Sequence, residues 1–144
     1  MAKFRLEKVL SHRQALETLA QQAMALAVQQ ENELQRLLAK VREEMAASAG
    51  EFEGRKRVGV APDELLLYQG QHDRLAEQLT DLQKRCAEAA LEVECRREAL
   101  VAASMAKQLL EKLKEKQAAE LNAELQHQEN GVLDEIAIQK FNER

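Results

Sequence analysis

Apolar residues recur along this chain at alternating steps of three and four. In the second half Tyr68, Leu75, Leu82 and Ala89 lie seven apart, and His72, Leu79, Cys86 and Val93 fall between them. That spacing keeps one face of an α-helix apolar and describes the seam of a coiled coil. Past Leu100 the stripe loosens, and Leu109, Leu110, Leu113, Leu121 and Leu125 continue it with Lys and Gln intruding. In the first half Leu34, Leu38, Val41 and Met45 carry the same four-three-four spacing, and Leu16, Leu19, Ala23 and Leu26 form an earlier stripe. The two stripes are offset by four extra residues, a stutter that locally relaxes supercoiling.

The pattern predicts an all-α fold of two long helices, the first over about 3–49 and the second over about 63–140, within a single domain. Between them, residues 50–62 read GEFEGRKRVGVAP and hold three of the five glycines and the only proline, so this segment is expected to be the loop. Pro62 suits a first helical turn. Asp63 and Glu64 after it favour the positive end of the helix dipole, although Ala61 is a poor cap.

One loop between two seamed helices predicts an antiparallel coiled-coil hairpin. Folding about the centre of 50–62 brings Met45 near Tyr68, Val41 near His72, Leu38 near Leu75 and Leu34 near Leu79. The same arithmetic takes Phe4 to the region of Leu109, leaving everything beyond about Leu110 as a C-terminal helical overhang. At 1.5 Å per residue the hairpin is expected to be about 70 Å long and the overhang about 45 Å.

Composition agrees with long helices. There is no Trp, aromatic residues are 3% and charged residues 32%, and the apolar content is largely Ala and Leu among good helix formers. The net charge of −4 lacks the basic footprint of a nucleic-acid binder. Cys86 and Cys95 are nine residues apart, on opposite faces of a helix, and read as ordinary small residues of a reducing compartment. The first residues lack the apolar core of a signal peptide, and no apolar run is long enough to span a membrane. The expected class is a soluble, cytoplasmic protein.

No catalytic, metal or cofactor constellation stands out: there is no glycine-rich phosphate loop, no paired histidine spacing and no nucleophile elbow. His72 falls on the seam and reads as a polar residue that helps fix register, with a partner contact as the competing reading. Arg55-Lys56-Arg57 reads as a solvated charge run. The stretch LLEKLKEK, residues 109–116, reads as an exposed helix with i,i+4 support, or as a partner-binding segment because it falls where the hairpin partner ends.

Two blocks resemble a known family. FRLEKVLSHRQALETLAQQAMA at 4–25 and LLEKLKEKQAAELNAELQHQENGVLDEIAIQKF at 109–141 are similar to the ends of flagellar FliJ proteins, and the middle of the chain is similar in length, heptads and loop placement. The resemblance implies a non-enzymatic stalk of the type III export apparatus. The stalk would sit in the cytoplasm, peripheral to the inner membrane at the flagellar base. It implies no cofactor and three partners: the hexameric export ATPase (FliI-like), the export gate protein (FlhA-like) and export chaperones. The paired termini would enter the ATPase ring, with Phe4, Val9, Leu113, Leu133, Asp134, Ile136 and Phe141 as the contact residues clustered at that end. The looped end would meet the gate through Leu37, Val41, Met45, Phe52, Tyr68 and Leu75. A monomer is expected, with no nucleic acid and no membrane insertion. A generic coiled-coil scaffold that dimerises through the overhang, or the equivalent stalk of a virulence-type secretion system, is the alternative. In the last block, Val132, Leu133 and Ile136 lie beyond the reach of the first helix and await an intermolecular partner. Asn130-Gly131 before them is expected to be carried within a continuous helix.

Overall fold

The computed structural model describes residues 2–143, with side chains from Arg5 onward. The chain forms two α-helices, α1 (Ala2–Val58) and α2 (Pro62–Glu143), packed against each other, and there is no strand among the described residues. Packing divides the chain into two compact units, one of Leu19–Leu100 and one of Met1–Thr18 with Val101–Arg144.

In the unit of Leu19–Leu100, the segment expected to be a loop is mostly helix. α1 runs through Gly50 and Gly54 to Val58, and only residues 59–61 connect the helices. Each of those two glycines costs about 1 kcal/mol relative to Ala in a helix. Contacts across the turn offset this cost. The Phe52 and Tyr68 rings sit 5.1 Å apart in a tilted pair and Arg55 donates to Glu64 at 3.1 Å, while within α1 the Lys56 ammonium lies 4.8 Å from the Phe52 ring centre. Gly59 ends the helix. Its φ of 109° is one that side chains other than glycine's resist, and its N–H donates to the Arg55 carbonyl at 3.0 Å in the left-handed C-cap arrangement. The Ala61 carbonyl then accepts the Leu65 N–H at 3.0 Å, opening α2 on Pro62.

The short turn resets the register. Facing pairs have residue numbers that add to 119 or 120: Ser48 with Gln71, Arg55 with Glu64, Phe52 with Tyr68. The pairs expected from the sequence add to 113. Phe52, not Met45, therefore faces Tyr68, and Met45 stands level with Leu75. The difference is seven residues, one heptad, so apolar positions still meet.

The seam of α1 also differs from the expected stripe. Ala20, Met24, Ala27, Glu31, Leu34, Leu38, Val41, Met45, Ser48 and Phe52 are drawn in as an uninterrupted four-three repeat with no stutter, with Ala23, Val28 and Leu37 half-buried beside it. Leu19 and Leu26, expected on the seam, are 60% and 55% exposed. A continuous heptad keeps one supercoil along the helix, whereas using Leu19 and Leu26 would break it. The alanines let the helices approach closely. On α2 the seam follows the expected positions, with Leu75 and Val93 buried. His72, however, is exposed.

In the other unit, Leu10 is buried and Leu6 half-buried against α2. Glu17 sits at a seam position and accepts from Ser104 at 2.9 Å and Lys107 at 3.0 Å. Burial on α2 ends at Glu111, and every residue of 112–143 is exposed. α2 passes through Asn130-Gly131 unbroken.

Candidate functional site

The unpartnered part of α2 is the most distinctive surface. A straight helix repeats its face every five turns, 18 residues, so the seam positions Leu100, Ala103 and Lys107 map onto Ala118, Leu121 and Leu125, and the exposed Lys114, one heptad after Lys107, maps onto Val132. Ile136 follows one further 18-residue step from Ala118. Leu121, Leu125, Val132 and Ile136 are thus the same stripe that α1 covers further back, continued without a cover. All four are about half exposed. Apolar area of this kind on a solvated helix is normally a contact surface. Glu120, Glu124 and Glu135 flank the stripe on one side and Glu129 on the other.

The terminal residues expected to cluster do not. Val9 and Leu113 are exposed at the level where α1 and α2 part company. Leu133, Asp134, Ile136 and Phe141 are exposed on α2 some 22–30 residues past Glu111, on the order of 33–45 Å along the helix. α1 is too short to carry Val9 that far. Ile136 belongs to the stripe. Leu133 and Phe141, the latter 79% exposed, point to other faces at 100° per residue. The side chain of Phe4 lies outside the described residues.

At the turn end the expected contact residues divide. Val41 and Leu75 are buried in the seam, so a partner reaches them only by opening the hairpin; they are core residues and not surface ones. Leu37, Met45, Phe52 and Tyr68 are half-buried. Phe52 and Tyr68 line a shallow hollow with Ser48, Leu65 and His72. Burial, and next the nearby Glu51 carboxylate, push the Tyr68 hydroxyl above its ordinary pKa. The exposed apolar surface there is supplied instead by Val58, Leu66 and Leu67. The run Leu65-Leu66-Leu67 was its signal, since three consecutive leucines on a helix cannot share one face.

The polar cluster of Glu17, Ser104 and Lys107 in the terminal unit is structural. The Lys107 ammonium, then the Ser104 hydroxyl, hold the Glu17 carboxyl below its usual range. Glu17 in return holds Lys107 above its own. No helix among the described residues is long and apolar enough to cross a membrane.

No curated protein and no solved structure matches this chain. The family model described as flagellar FliJ protein matches residues 1–144. An antiparallel helical pair with a bare C-terminal stripe, matched over its whole length by that family, places this chain in the flagellar FliJ family.

Proposed function

We propose that this chain is the stalk of the flagellar export apparatus, acting as a non-enzymatic adaptor between the export ATPase and the export gate. Family membership supports an export-associated role. The observation that carries the finer reading is the uncovered stripe on 112–143, a stiff helix with an apolar face and no intramolecular partner. The C-terminal helix docks inside the hexameric ATPase through Ile136 with Leu133, Asp134 and Phe141. Val9 and Leu113 form a second contact nearer the base. A stalk that binds the assembled ring better than separate subunits raises the ring's population and turnover. The turn end meets the gate through Phe52, Tyr68, Leu37 and Met45, joined by the exposed Leu66 and Leu67. Export chaperones are carried on the same chain.

The test is turnover of the cognate export ATPase with and without this protein. The full chain is expected to stimulate hydrolysis, and a chain lacking residues 130–144 is expected not to. Absence of stimulation by the full chain sinks the reading.

A further inference from the structure

The charges of the terminal unit are divided by sign along its length. From Glu120 to the end of the sequence there are six carboxylate side chains, Glu120, Glu124, Glu129, Asp134, Glu135 and Glu143, against two cations, Lys140 and Arg144. At the base of the same unit, set apart from Lys107 and the two glutamates it bridges, the cations Arg5, Lys8, Arg13, Lys112, Lys114 and Lys116 stand against Glu7 and Glu115. The acidic segment bears the bare stripe. The basic segment bears its own exposed apolar residues, Val9, Leu16, Leu109 and Leu113.

These four are positioned alike. Val9, Leu16 and Leu109 each precede a residue turned into the seam, Leu10, Glu17 and Leu110, and Leu113 continues the spacing. In the unit of Leu19–Leu100, residues in that position on both helices line one side groove, Leu26, Gln30 and Glu33 opposite Arg85, Glu88 and Glu92. By the same geometry, Val9 and Leu16 on α1 and Leu109 and Leu113 on α2 border a groove along the base.

We propose that the occupant of this groove is the acidic C-terminal helix of a second copy, in a reciprocal antiparallel dimer. With Leu121 of one copy level with Leu125 of the other, Val132 comes level with Lys114 and Ile136 with Leu110. The apolar stripe of each tail then lies along the base of its partner, and Glu129, Asp134 and Glu135 reach Lys112, Lys114 and Lys116. The two contacts are identical, as a twofold axis requires. A parallel arrangement would set acidic tail against acidic tail along its whole length, whereas in the antiparallel one only the stretch holding Glu120 and Glu124 overlaps itself. The dimer covers the stripe assigned above to ring docking, so the two states compete: dimerisation stores the stalk with its docking face hidden. The paired part of the hairpin is unchanged in either state.

The test is sedimentation equilibrium of the full chain over a range of concentrations, in which no ATPase is present, so its outcome is independent of the ring-docking reading. A reversible dimer is expected, weakened at high salt because exposed pairs are screened. The triple variant Lys112→Glu, Lys114→Glu, Lys116→Glu and the triple variant Glu129→Lys, Asp134→Lys, Glu135→Lys should each self-associate at least about tenfold more weakly, a loss equivalent to about 1.4 kcal/mol. Mixing the two should restore association at least as tight as the unaltered chain. Helical content by circular dichroism should stay the same, since all six positions are exposed. A monomer at every concentration overturns the proposal. So does a dimer that either triple variant leaves intact, because only the antiparallel pairing joins these two segments.

Discussion

The register of the hairpin is open to a direct chemical test. Ser48 and Gln71 face each other, with the serine hydroxyl 3.4 Å from the glutamine oxygen. In a background of Cys86→Ala and Cys95→Ser, the pair Ser48→Cys and Gln71→Cys is expected to form a disulfide on oxidation. A second pair, Met45→Cys and Tyr68→Cys, is brought together only in the register one heptad away. In the observed register those two positions are offset by seven residues, roughly 10 Å along the helix, beyond the Cα separation of about 7 Å that a disulfide tolerates. The expected stabilisation follows from the loop closed. For the 23-residue separation between the two positions, the chain-entropy relation gives about 3.4 kcal/mol, an upper bound that native-state strain reduces. Crosslinking yield is read on a non-reducing gel, and stability by thermal melting with and without reductant. Efficient oxidation of the Met45–Tyr68 pair, or a melting temperature for the oxidised Ser48–Gln71 pair no higher than for its reduced form, would refute the reasoning.

Three further outcomes follow from the same contacts. Leu75→Ala removes one of the few buried side chains of the seam and should cost about 2–5 kcal/mol, nearer the lower figure because a two-helix seam leaves a hole open to water; denaturant unfolding checks it. Gly131→Ala meets no atom within 4 Å and should stabilise the C-terminal helix by about 1 kcal/mol, seen as raised helicity, whereas Gly59→Ala, at a φ of 109°, should lower the melting temperature of the hairpin. Glu17 has a lowered pKa, so its contribution is present above the ordinary glutamate value of 4.5 and is lost as pH falls through the lowered one; Lys107, raised, gives the mirror case, a contribution complete below 10.5 and lost as pH rises through the higher value. Amide protection in 5–17 and 101–111, taken relative to the intrinsic exchange rate at each pH, should therefore fall in acid, and Glu17→Gln should blunt that response.

Much of this molecule could be read from its sequence. The alternation of three and four from Tyr68 to Val93 sets the face that α2 buries, because a helix places residues at those steps on one side whatever it packs against. The same reasoning gave the bare surface beyond Leu110, since a shorter α1 leaves nothing to cover it. Three glycines and a proline marked the region of the turn but not its extent. Propensity scores each residue alone, and the Phe52–Tyr68 and Arg55–Glu64 contacts that carry the helix through Gly50 and Gly54 exist only once the chain has folded back.

Leu19 and Leu26 show where sequence reasoning reaches its limit. By hydrophobicity they outrank Ala20, Met24 and Ala27, yet the smaller residues form the seam. The choice is made by continuity with Leu34, Leu38 and Val41, which a single supercoil rewards and residue-by-residue hydrophobicity does not see. The expected gathering of Val9 with Leu133 and Phe141 failed for a simpler reason of length, as α1 ends where the last third of α2 begins.

By itself the sequence determined that there are two helices, which face of α2 is apolar, and that one stretch of it has no cover within the chain. What only the tertiary structure decided is which residues meet. A heptad pattern looks the same after a slip of seven, so Met45 and Phe52 are equally good partners for Tyr68 on paper. The turn breaks that degeneracy: Gly59 closes α1 with its left-handed backbone, Pro62 opens α2 three residues later, and the pivot so fixed places every side chain along the unit of Leu19–Leu100.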